Sequence, residues 1–189
     1  MEASDLAIVA RVKAGEHDAF RDLVERHSRS VFRLAYRLTG HEQDAEDVVQ
    51  ETFLRAFREI RRFEARSSFA TWLYRITVNC SHDLLRQRPR PGSRPSLDDP
   101  GLRAAAELSD PSASADPLRE LASRRIDERV RAAMRGLSDQ ERSAFVMRHF
   151  QGLSIEEIGR VLDLRTSAAK HSVFRAVQKL RRSLEPLGS

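Results

Sequence analysis

The sequence lacks the features that would stabilise it covalently or anchor it in a membrane. Its 189 residues include one cysteine, Cys80, so an intramolecular disulfide is impossible, and no CxxC pair supports a structural zinc site. No apolar run approaches the roughly 20 residues that a membrane span needs, and the N-terminus lacks the basic and apolar segments of a signal peptide. We expect a cytoplasmic protein with no metal, no cofactor and no membrane insertion.

Strand signals and catalytic motifs are also missing from the sequence. Strict alternation of apolar and polar residues does not persist in any segment, whereas apolar residues recur often at helical spacing. The sequence contains no Gly-rich nucleotide-binding loop, no metal-ligand cluster and no nucleophile–base constellation. It therefore predicts an all-α protein that is not an enzyme.

Lysine is scarce among the 33 basic residues, with only Lys13, Lys170 and Lys179. Arginine suits bidentate contacts to phosphate and guanine, although a GC-rich genome would enrich it too. Residues 119–189 carry 15 basic and 9 acidic side chains, whereas residues 96–118 carry 1 and 5. The C-terminal third is therefore the best candidate for a nucleic-acid-binding face.

Proline divides the chain into two parts. Six of the seven prolines lie in residues 88–117, which contain no aromatic residue. This composition predicts a flexible, acidic, Pro-rich linker at 89–117 rather than a packed element. The linker would join two small helical domains, at 1–88 and 118–189.

An acidic helix is predicted within the N-terminal domain. Helical spacing begins at Leu6, with breaks expected at Gly15 and Gly40. The stretch DAEDVVQETFLRAF, from Asp44 to Phe57, predicts an amphipathic helix whose first turns carry carboxylates that complement the helix dipole. Its acidic face has two interpretations, a solvated surface or a docking surface for a basic partner.

Aromatic and basic side chains alternate around the loop FEARSS at 63–68 and the helix expected at 69–87. Such a mixture suits unstacked bases, because rings stack on them and guanidinium groups hold the phosphates. Aromatic residues at this spacing are, however, more often part of a helical core. Asn79 adds an amide that could contact a base edge. The aromatic and basic residues are Phe63, Phe69, Trp72 and Tyr74 with Arg61, Arg62, Arg66 and Arg75.

Two capping boxes are predicted in the C-terminal domain, after a helix expected at 118–135. Ser138 with Glu141, and Ser154 with Glu157, have the required spacing. In this arrangement each side chain hydrogen-bonds the backbone N–H of the other residue. Both serines are therefore predicted to begin helices.

The second capping box opens the pattern of a helix-turn-helix, with helices at 154–162 and 166–184 and an end at Pro186 and Gly188. The second helix starts with small and polar residues and is basic, as expected for a recognition helix in the major groove. An ordinary helical hairpin with a solvated basic face is the alternative. We expect the apolar stripe of the second helix to pack on the first: Val173, Ala176, Val177 and Leu180 on Ile155, Ile158 and Val161.

Three stretches together resemble one family. DAEDVVQETFLRAF, FEARSSFATWLYRITVN and LSDQERSAFVMRHFQGLSIEEIGRVL are similar, in order and spacing, to bacterial RNA polymerase sigma factors of the extracytoplasmic-function type, group 4 of the sigma-70 family. The resemblance covers residues 5–88, as sigma region 2, and 119–184, as sigma region 4. It implies a protein that binds RNA polymerase core, directs it to specific promoters and helps to open them.

The resemblance also implies partners: RNA polymerase core, through its β′ clamp helices and β flap, promoter DNA, and an anti-sigma factor. The loop at 63–68 would capture a flipped base of the −10 element, and the recognition helix would meet the −35 element. The implied core-binding residues are Asp44, Asp47, Val48, Gln50, Glu51 and Phe53. Those implied for the −10 element are Arg61, Phe63, Glu64, Ala65, Arg66, Ser67, Ser68, Trp72, Arg75 and Asn79. Those implied for the −35 element are Arg165, Thr166, Ser167, Ala168, Lys170, His171, Phe174 and Arg175.

The recognition helix departs from the family pattern. Where the family has a sequence close to EGTVKSRLFRAR, this chain has TSAAKHSVFRAV from Thr166 to Val177, without the glycine and with Ser172 in place of a common arginine. Helical geometry should survive because Ser and Ala are compatible with a first helical turn. The −35 sequence preference of the family does not carry over.

Two rival functions are weighed against the resemblance. A stand-alone helix-turn-helix regulator would use the C-terminal helices but would leave the acidic helix and the 63–79 aromatics unexplained. A nuclease would need carboxylates that converge on a metal. Asp44, Asp47 and Glu51 instead lie on a helix face with no suitably placed histidine beside them.

Overall fold

The computed structural model describes residues 4–87, 128–130 and 132–184, and it builds them from helices and loops, with no strand in those ranges. The all-α prediction is confirmed. The predicted linker at 89–117, the start of the helix expected from 118, and Pro186 and Gly188 lie outside the described residues. The helices are α1 (Asp5–Lys13), α2 (Phe20–Thr39), α3 (Glu42–Glu59), α4 (Phe69–Gln87), α5 (Asp139–Phe150), α6 (Ile155–Leu162) and α7 (Thr166–Leu184), with 3-10 turns at His17–Ala19 and Ile60–Arg62 and further helical residues at 128–130 and 132–135.

Helix ends fall close to where the sequence predicts them. Gly15 and Gly40, the predicted breaks, have φ of +107° and +78°, a region that glycine enters without strain. The helix expected at 69–87 is α4, with the same bounds. The acidic helix α3 begins at Glu42, two residues before Asp44, because the chain is extended at His41 and turns helical directly after it.

The N-terminal domain, described here over residues 4–87, packs α2, α3 and α4 against one another, with α1 on α2. Its core buries one large apolar side chain or more from every helix, including Ile8, Leu23, Val48 and Leu73. Each such burial stabilises the fold by ~1.5–3 kcal/mol. Phe63 joins the same core, which ties the loop at 63–68 to the helices around it.

The C-terminal domain, described over 128–130 and 132–184, contains both predicted capping boxes. The Ser138 hydroxyl accepts from the Glu141 N–H at 3.2 Å, and the Glu141 carboxylate accepts from the Ser138 N–H at 3.0 Å. Ser154 and Glu157 repeat the arrangement at 3.2 and 2.8 Å. These local hydrogen bonds satisfy N–H groups that the first turn of a helix leaves without partners.

The predicted packing of α7 on α6 is wrong for its C-terminal half. Val173 contacts the cluster that holds Ile158, as expected, but Val177 is 38 % exposed. Ala176 and Leu180 pack instead in a separate cluster with Ala133 and Leu137. The reason is length. At 1.5 Å per residue, α7 is about 29 Å long and α6 about 12 Å, so the second half of α7 extends past α6.

Candidate nucleic-acid interface

A tight turn joins the two helices of the helix-turn-helix. The Leu164 N–H donates to the Gly159 carbonyl at 2.8 Å, and Asp163 takes the left-handed conformation with φ of +56°. A Cβ atom on Gly159 would lie 2.8 Å from the Leu164 carbonyl oxygen, closer than real Cβ atoms come to such a group. Glycine is therefore required there by the close approach of the turn to α6.

The residues predicted to bind the −35 element surround the first turns of α7 and face solvent. All of them are exposed except Ala168, which is half-buried. Phe174 is the most exposed large apolar side chain of the set, at 59 %. Because the N-terminal end of a helix carries a partial positive charge, this surface attracts phosphate through both its side chains and its backbone.

Two further polar residues hold α7 in place rather than facing DNA. Ser172, where the family commonly has arginine, is fully buried, and its hydroxyl accepts from the Gln140 side chain at 2.7 Å. Lys179 donates to the buried Glu141 carboxylate at 2.7 Å. Burial disfavours the charge of Glu141, but Lys179 and the Ser138 N–H outweigh it and lower the pKa of that carboxyl. Sequence reasoning had no signal for either link, because both join helices distant in the chain.

A cleft of about 340 Å³ lies beside the loop at 63–68. Six side chains predicted for the −10 element line it, namely Phe63, Glu64, Arg66, Ser67, Trp72 and Arg75. Arg62, which the sequence placed among the basic residues of this region, also lines it, as do Thr71, Arg160 and Asp163, which the sequence did not single out for this site. Four others predicted for that element do not line the cleft: Arg61, Ala65, Ser68 and Asn79. The cleft therefore combines aromatic rings with several guanidinium groups.

Phe63 fits both interpretations of the aromatic residues, as part of the helical core and as part of a surface for an unstacked base. It is only 3 % exposed, with ring centroids 5.3 Å from Trp72 and 5.8 Å from Phe69, so it belongs to the core. It also lines the cleft, together with the half-buried Trp72. Asn79, by contrast, is exposed on α4 and does not line this cleft, and its contact with a −10 base stays a prediction.

The loop at 63–68 is held by contacts at both ends. The Lys13 ammonium on α1 donates to the Phe63 carbonyl and lies 6.0 Å from the centroid of the Phe63 ring. At the other end, the Ser68 hydroxyl accepts from the Thr71 N–H at 3.1 Å and caps α4. Ala65 turns the loop between them with φ of +55°. Lys13 and Phe63 are far apart in the sequence, so no local pattern could have revealed their contact.

Comparison with known proteins identifies the family. Residues 23–90 match the family model for sigma-70 region 2, and residues 127–180 match that for sigma-70 region 4. The chain is 32 % identical over 189 residues to the RNA polymerase sigma-H factor of Pseudomonas aeruginosa, across 98 % of this chain and 96 % of that protein. It is 30 % identical over 180 residues to the ECF RNA polymerase sigma factor SigW of Bacillus subtilis, across 95 % and 96 %. The chain belongs to the ECF sigma factors of the sigma-70 family.

The likeness extends to three dimensions. The structure of CnrH in complex with the cytosolic domain of CnrY matches this sigma factor with a TM-score of 0.67 at 29 % identity, across 96 % of this chain and 97 % of that one. As an ECF sigma factor, the protein binds RNA polymerase and directs promoter-specific initiation of transcription. Within the described ranges, no helix is both long enough and apolar enough to cross a bilayer.

The acidic helix of the sigma factor offers a narrower surface than the sequence predicts. Asp44, Val48 and Phe53 are buried in the packing of the helices, and their contact with the polymerase stays a prediction. They lie on the side of α3 that faces the core, a placement that the family resemblance did not distinguish. Asp47 and Gln50 are on the outer side of the helix, and both are exposed.

Apolar side chains complete the outer stripe of α3. Leu54 and Phe57 follow Asp47 and Gln50 at helical spacings of three and four, so all four side chains share one helix face. Leu54 and Phe57 are among the few large apolar side chains that the described chain exposes. Glu51, four residues after Asp47 and at the edge of this stripe, pairs with Arg55 at 2.5 Å.

Proposed function

We propose that the sigma factor divides promoter recognition among three surfaces. The first turns of α7 bind the −35 duplex, the cleft beside loop 63–68 captures a base of the −10 element, and the outer stripe of α3 binds the β′ clamp helices. The protein itself catalyses no reaction, since the polymerase performs the chemistry. We place it in the cytoplasm, where bacterial RNA polymerase works.

The composition of the cleft carries this proposal. Phe63 and Trp72 offer aromatic surface to an unstacked base, while Arg62, Arg66 and Arg75 surround it with positive charge for the phosphates. Taking a base out of the duplex costs a few kcal/mol, and stacking in the cleft offsets that cost only after the base has left the helix. The cleft therefore favours melted over paired DNA.

The surface on α7 suits duplex DNA instead. Its exposed cationic side chains are Arg165, directly before α7, and Lys170 and Arg175 on the helix, whose orientation is fixed by a tight turn. Protruding side chains can reach the base edges of the major groove, and the helix N-terminus can bind phosphate. Lys179 is not part of this surface, since it donates to Glu141 at 2.7 Å, whereas Arg175 lies 3.8 Å from the same carboxylate and remains 60 % exposed.

The outer stripe of α3 supports protein binding rather than DNA binding. Asp47 would repel phosphate, whereas Leu54 and Phe57 offer apolar area that a protein partner can bury. Apolar side chains at the centre of an interface with charge at its edge are typical of protein–protein contacts. The docking surface is thus defined by Asp47, Gln50, Leu54 and Phe57.

An anti-sigma factor is the further partner that we propose. CnrH, which matches this chain over nearly its whole length, is in complex with the cytosolic domain of CnrY. A similar partner for this chain would block the surfaces that it needs for the polymerase or the promoter. Its identity would follow from purification of the protein with whatever it binds in its host.

Run-off transcription with purified core polymerase tests the proposed function. We expect core plus this protein, but not core alone, to initiate selectively within a library of promoter fragments from the host genome. Asp47→Arg should weaken core binding measured by gel filtration, whereas Asp18→Arg, at another exposed aspartate, should not. Selective initiation that persists with Asp47→Arg at unchanged core affinity would refute the assignment of α3. DNA binding by the free protein as tight as by the holoenzyme would favour a stand-alone regulator.

A further inference from the structure

One carboxylate is buried between two helices of the C-terminal domain. The side chain of Glu141, in the first turn of α5, is only 7 % exposed. A charge removed from water is costly unless cations and hydrogen-bond donors surround it. Burial raises the pKa of Glu141, but Lys179 and the Ser138 N–H lower it by more, so the carboxyl is ionised near pH 7. Glu141 therefore brings a negative charge to the base of α7.

The two oxygens of this carboxylate have different partners. Oε2 accepts from the Ser138 N–H at 3.0 Å and from the Lys179 ammonium at 2.7 Å. Oε1 lies 3.8 Å from Nε of Arg175, which is too far for a hydrogen bond but within the range of an ion pair. Lys179 is therefore held by a direct hydrogen bond, whereas Arg175 is attracted by charge and can still turn towards DNA.

Arg175 lies between two fixed contacts of α7. Ser172, Arg175 and Lys179 are spaced by three and four residues, so their side chains share the helix face that meets α5. Ser172 is buried and its hydroxyl accepts from Gln140, and Lys179 donates to Glu141, the next residue along α5. These contacts, one turn before and one turn after Arg175, restrict the rotation of α7 about its axis.

The guanidinium of Arg175 is placed so that it can contact a base. Nε is its atom nearest to Glu141, so the terminal Nη groups are left for DNA. Two N–H groups in a fixed fork match the O6 and N7 acceptors that guanine presents in the major groove. An arginine on a freely moving stem can instead bind the phosphates, which are the same in every sequence.

We propose that Glu141 determines the specificity of −35 recognition, because its carboxylate positions Arg175 for a base edge and keeps it from the phosphates. Glu141 does not touch DNA and acts only through Arg175. Anchoring reduces the freedom that the side chain loses when it reaches a matched base, and it opposes contacts that any sequence offers. The inference rests on the duplex binding by α7 proposed above.

The second capping box provides a matched comparison within the same domain. Glu157 has the same position in α6 as Glu141 in α5, and it accepts from the Ser154 N–H at 2.8 Å. In the described part of the chain no cation of α7 pairs with Glu157, which meets the Thr71 hydroxyl at 3.5 Å. Glutamine also suits this position of a capping box, so Glu→Gln removes the charge and keeps the cap in either helix.

Holoenzyme binding to matched and scrambled duplexes tests the proposal. Core polymerase with the full-length sigma factor selects a duplex from a randomised pool in the cold, where the DNA remains paired. The specificity ratio is the affinity for this duplex divided by that for a scrambled copy. Glu141→Gln should lower the ratio about two- to fivefold, mainly through tighter binding of the scrambled duplex. The salt slope on that duplex should increase by about one unit, because Arg175 gains a phosphate contact.

Three further variants separate positioning from general effects on charge and fold. Glu157→Gln, which removes the charge of the other capping box, should keep the wild-type ratio. Lys179→Met breaks a hydrogen bond between α5 and α7 but leaves Glu141 to attract Arg175, so it should also keep the ratio. In an Arg175→Ala background, Glu141→Gln should no longer change the ratio, because the residue through which it acts is missing.

Circular dichroism melting shows whether each variant remains folded. If Glu141→Gln alone does not fold, its combination with Lys179→Met removes the whole buried ion pair, which costs less than leaving one partner unpaired, and should lower the ratio equally. A wild-type ratio in the folded variant would overturn the proposal. An equal loss in Lys179→Met alone, or an effect that persists without Arg175, would overturn it too. A wild-type holoenzyme that selects no duplex would refute −35 binding by α7 itself, and the inference with it.

Discussion

The two regions that we propose bind DNA are built on opposite plans. On α7, the residues proposed to contact DNA are not the residues that stabilise the fold. Lys170 and Arg175 face solvent, whereas Ala169 and Ala176 are buried. In the cleft one residue does both, because Phe63 lines the site and is also part of the core. Recognition of duplex DNA can therefore change without changing the fold, whereas capture of a base cannot.

The difference follows from the shape of each target. A duplex presents its base edges at the floor of a groove, so a protein reads it with side chains that protrude from a helix. A flipped base needs a concave site with aromatic walls. In a small helical domain such a site can only be formed at the edge of the core, next to residues that also stabilise the fold, such as Phe69.

A matched pair of phenylalanines should show the largest effect. Phe63→Ala removes a ring that is 3 % exposed and should destabilise the N-terminal domain by about 3–5 kcal/mol. Phe174→Ala removes a ring that is 59 % exposed and should change stability by less than about 0.5 kcal/mol. Urea denaturation of the two variants measures both values. Equal urea denaturation midpoints for the two variants would contradict the proposed difference between the cleft and α7.

Gly159→Ala should affect both stability and DNA binding in the C-terminal domain, because Gly159 allows the turn that orients α7. The added methyl group would lie 2.8 Å from the Leu164 carbonyl oxygen, a backbone atom, so the turn must shift. We expect a loss of about 1–3 kcal/mol in stability, together with weaker duplex binding. Ser183→Ala, at an exposed position in the last turn of α7, serves as the control for both readouts. A Gly159→Ala protein that melts like the wild type would show that the turn can relax.

Lys13→Met tests the position of the loop at 63–68 without changing the core beneath it. The substitution keeps the length of the side chain but removes the donor to the Phe63 carbonyl, at a cost of about 1 kcal/mol. Promoter opening, followed by permanganate reactivity of the −10 thymines, should decrease more than duplex binding does. Arg21→Met, at a largely exposed side chain on α2, controls for the lost charge. Normal opening by Lys13→Met would mean that Lys13 does not position the loop.

Lys170→Ala should have the smallest effect on the protein itself. The side chain is exposed, so we expect an unchanged melting temperature. If the ammonium binds phosphate, affinity should fall uniformly across sequences and the salt slope should decrease by about one unit. A loss confined to particular −35 sequences would instead assign Lys170 to base readout.

Helices with local signals could be predicted from the sequence. Ser138 and Ser154 begin helices through hydrogen bonds to residues three positions away, and Gly40 ends one through its own backbone conformation. These features depend on a few neighbouring residues, so the pattern contains all that is needed. The same is true of the exposed basic surface at the start of α7.

Features that depend on distant residues were not predictable. Lys13 meets Phe63 from a different helix, and Val177 is exposed because α7 extends beyond α6, which no local spacing reveals. Val48 and Phe53 resemble family positions near the polymerase, but only the packing of α3 shows that they face the core. The burial of Leu34 and Leu38 against Ile158 likewise depends on how two domains meet.

The central claim is that melting and duplex recognition belong to different regions, and run-off transcription from matched duplex and pre-melted −10 promoters tests it most directly. Arg75→Ala, in the cleft, should reduce initiation from the duplex promoter about tenfold and should regain most of it on the pre-melted promoter. Lys170→Ala, on α7, should be equally impaired on both templates. Arg29→Ala, at an exposed arginine on α2, should match the wild type on both. If pre-melting rescued both impaired variants or neither, the division of labour between the cleft and α7 would be contradicted.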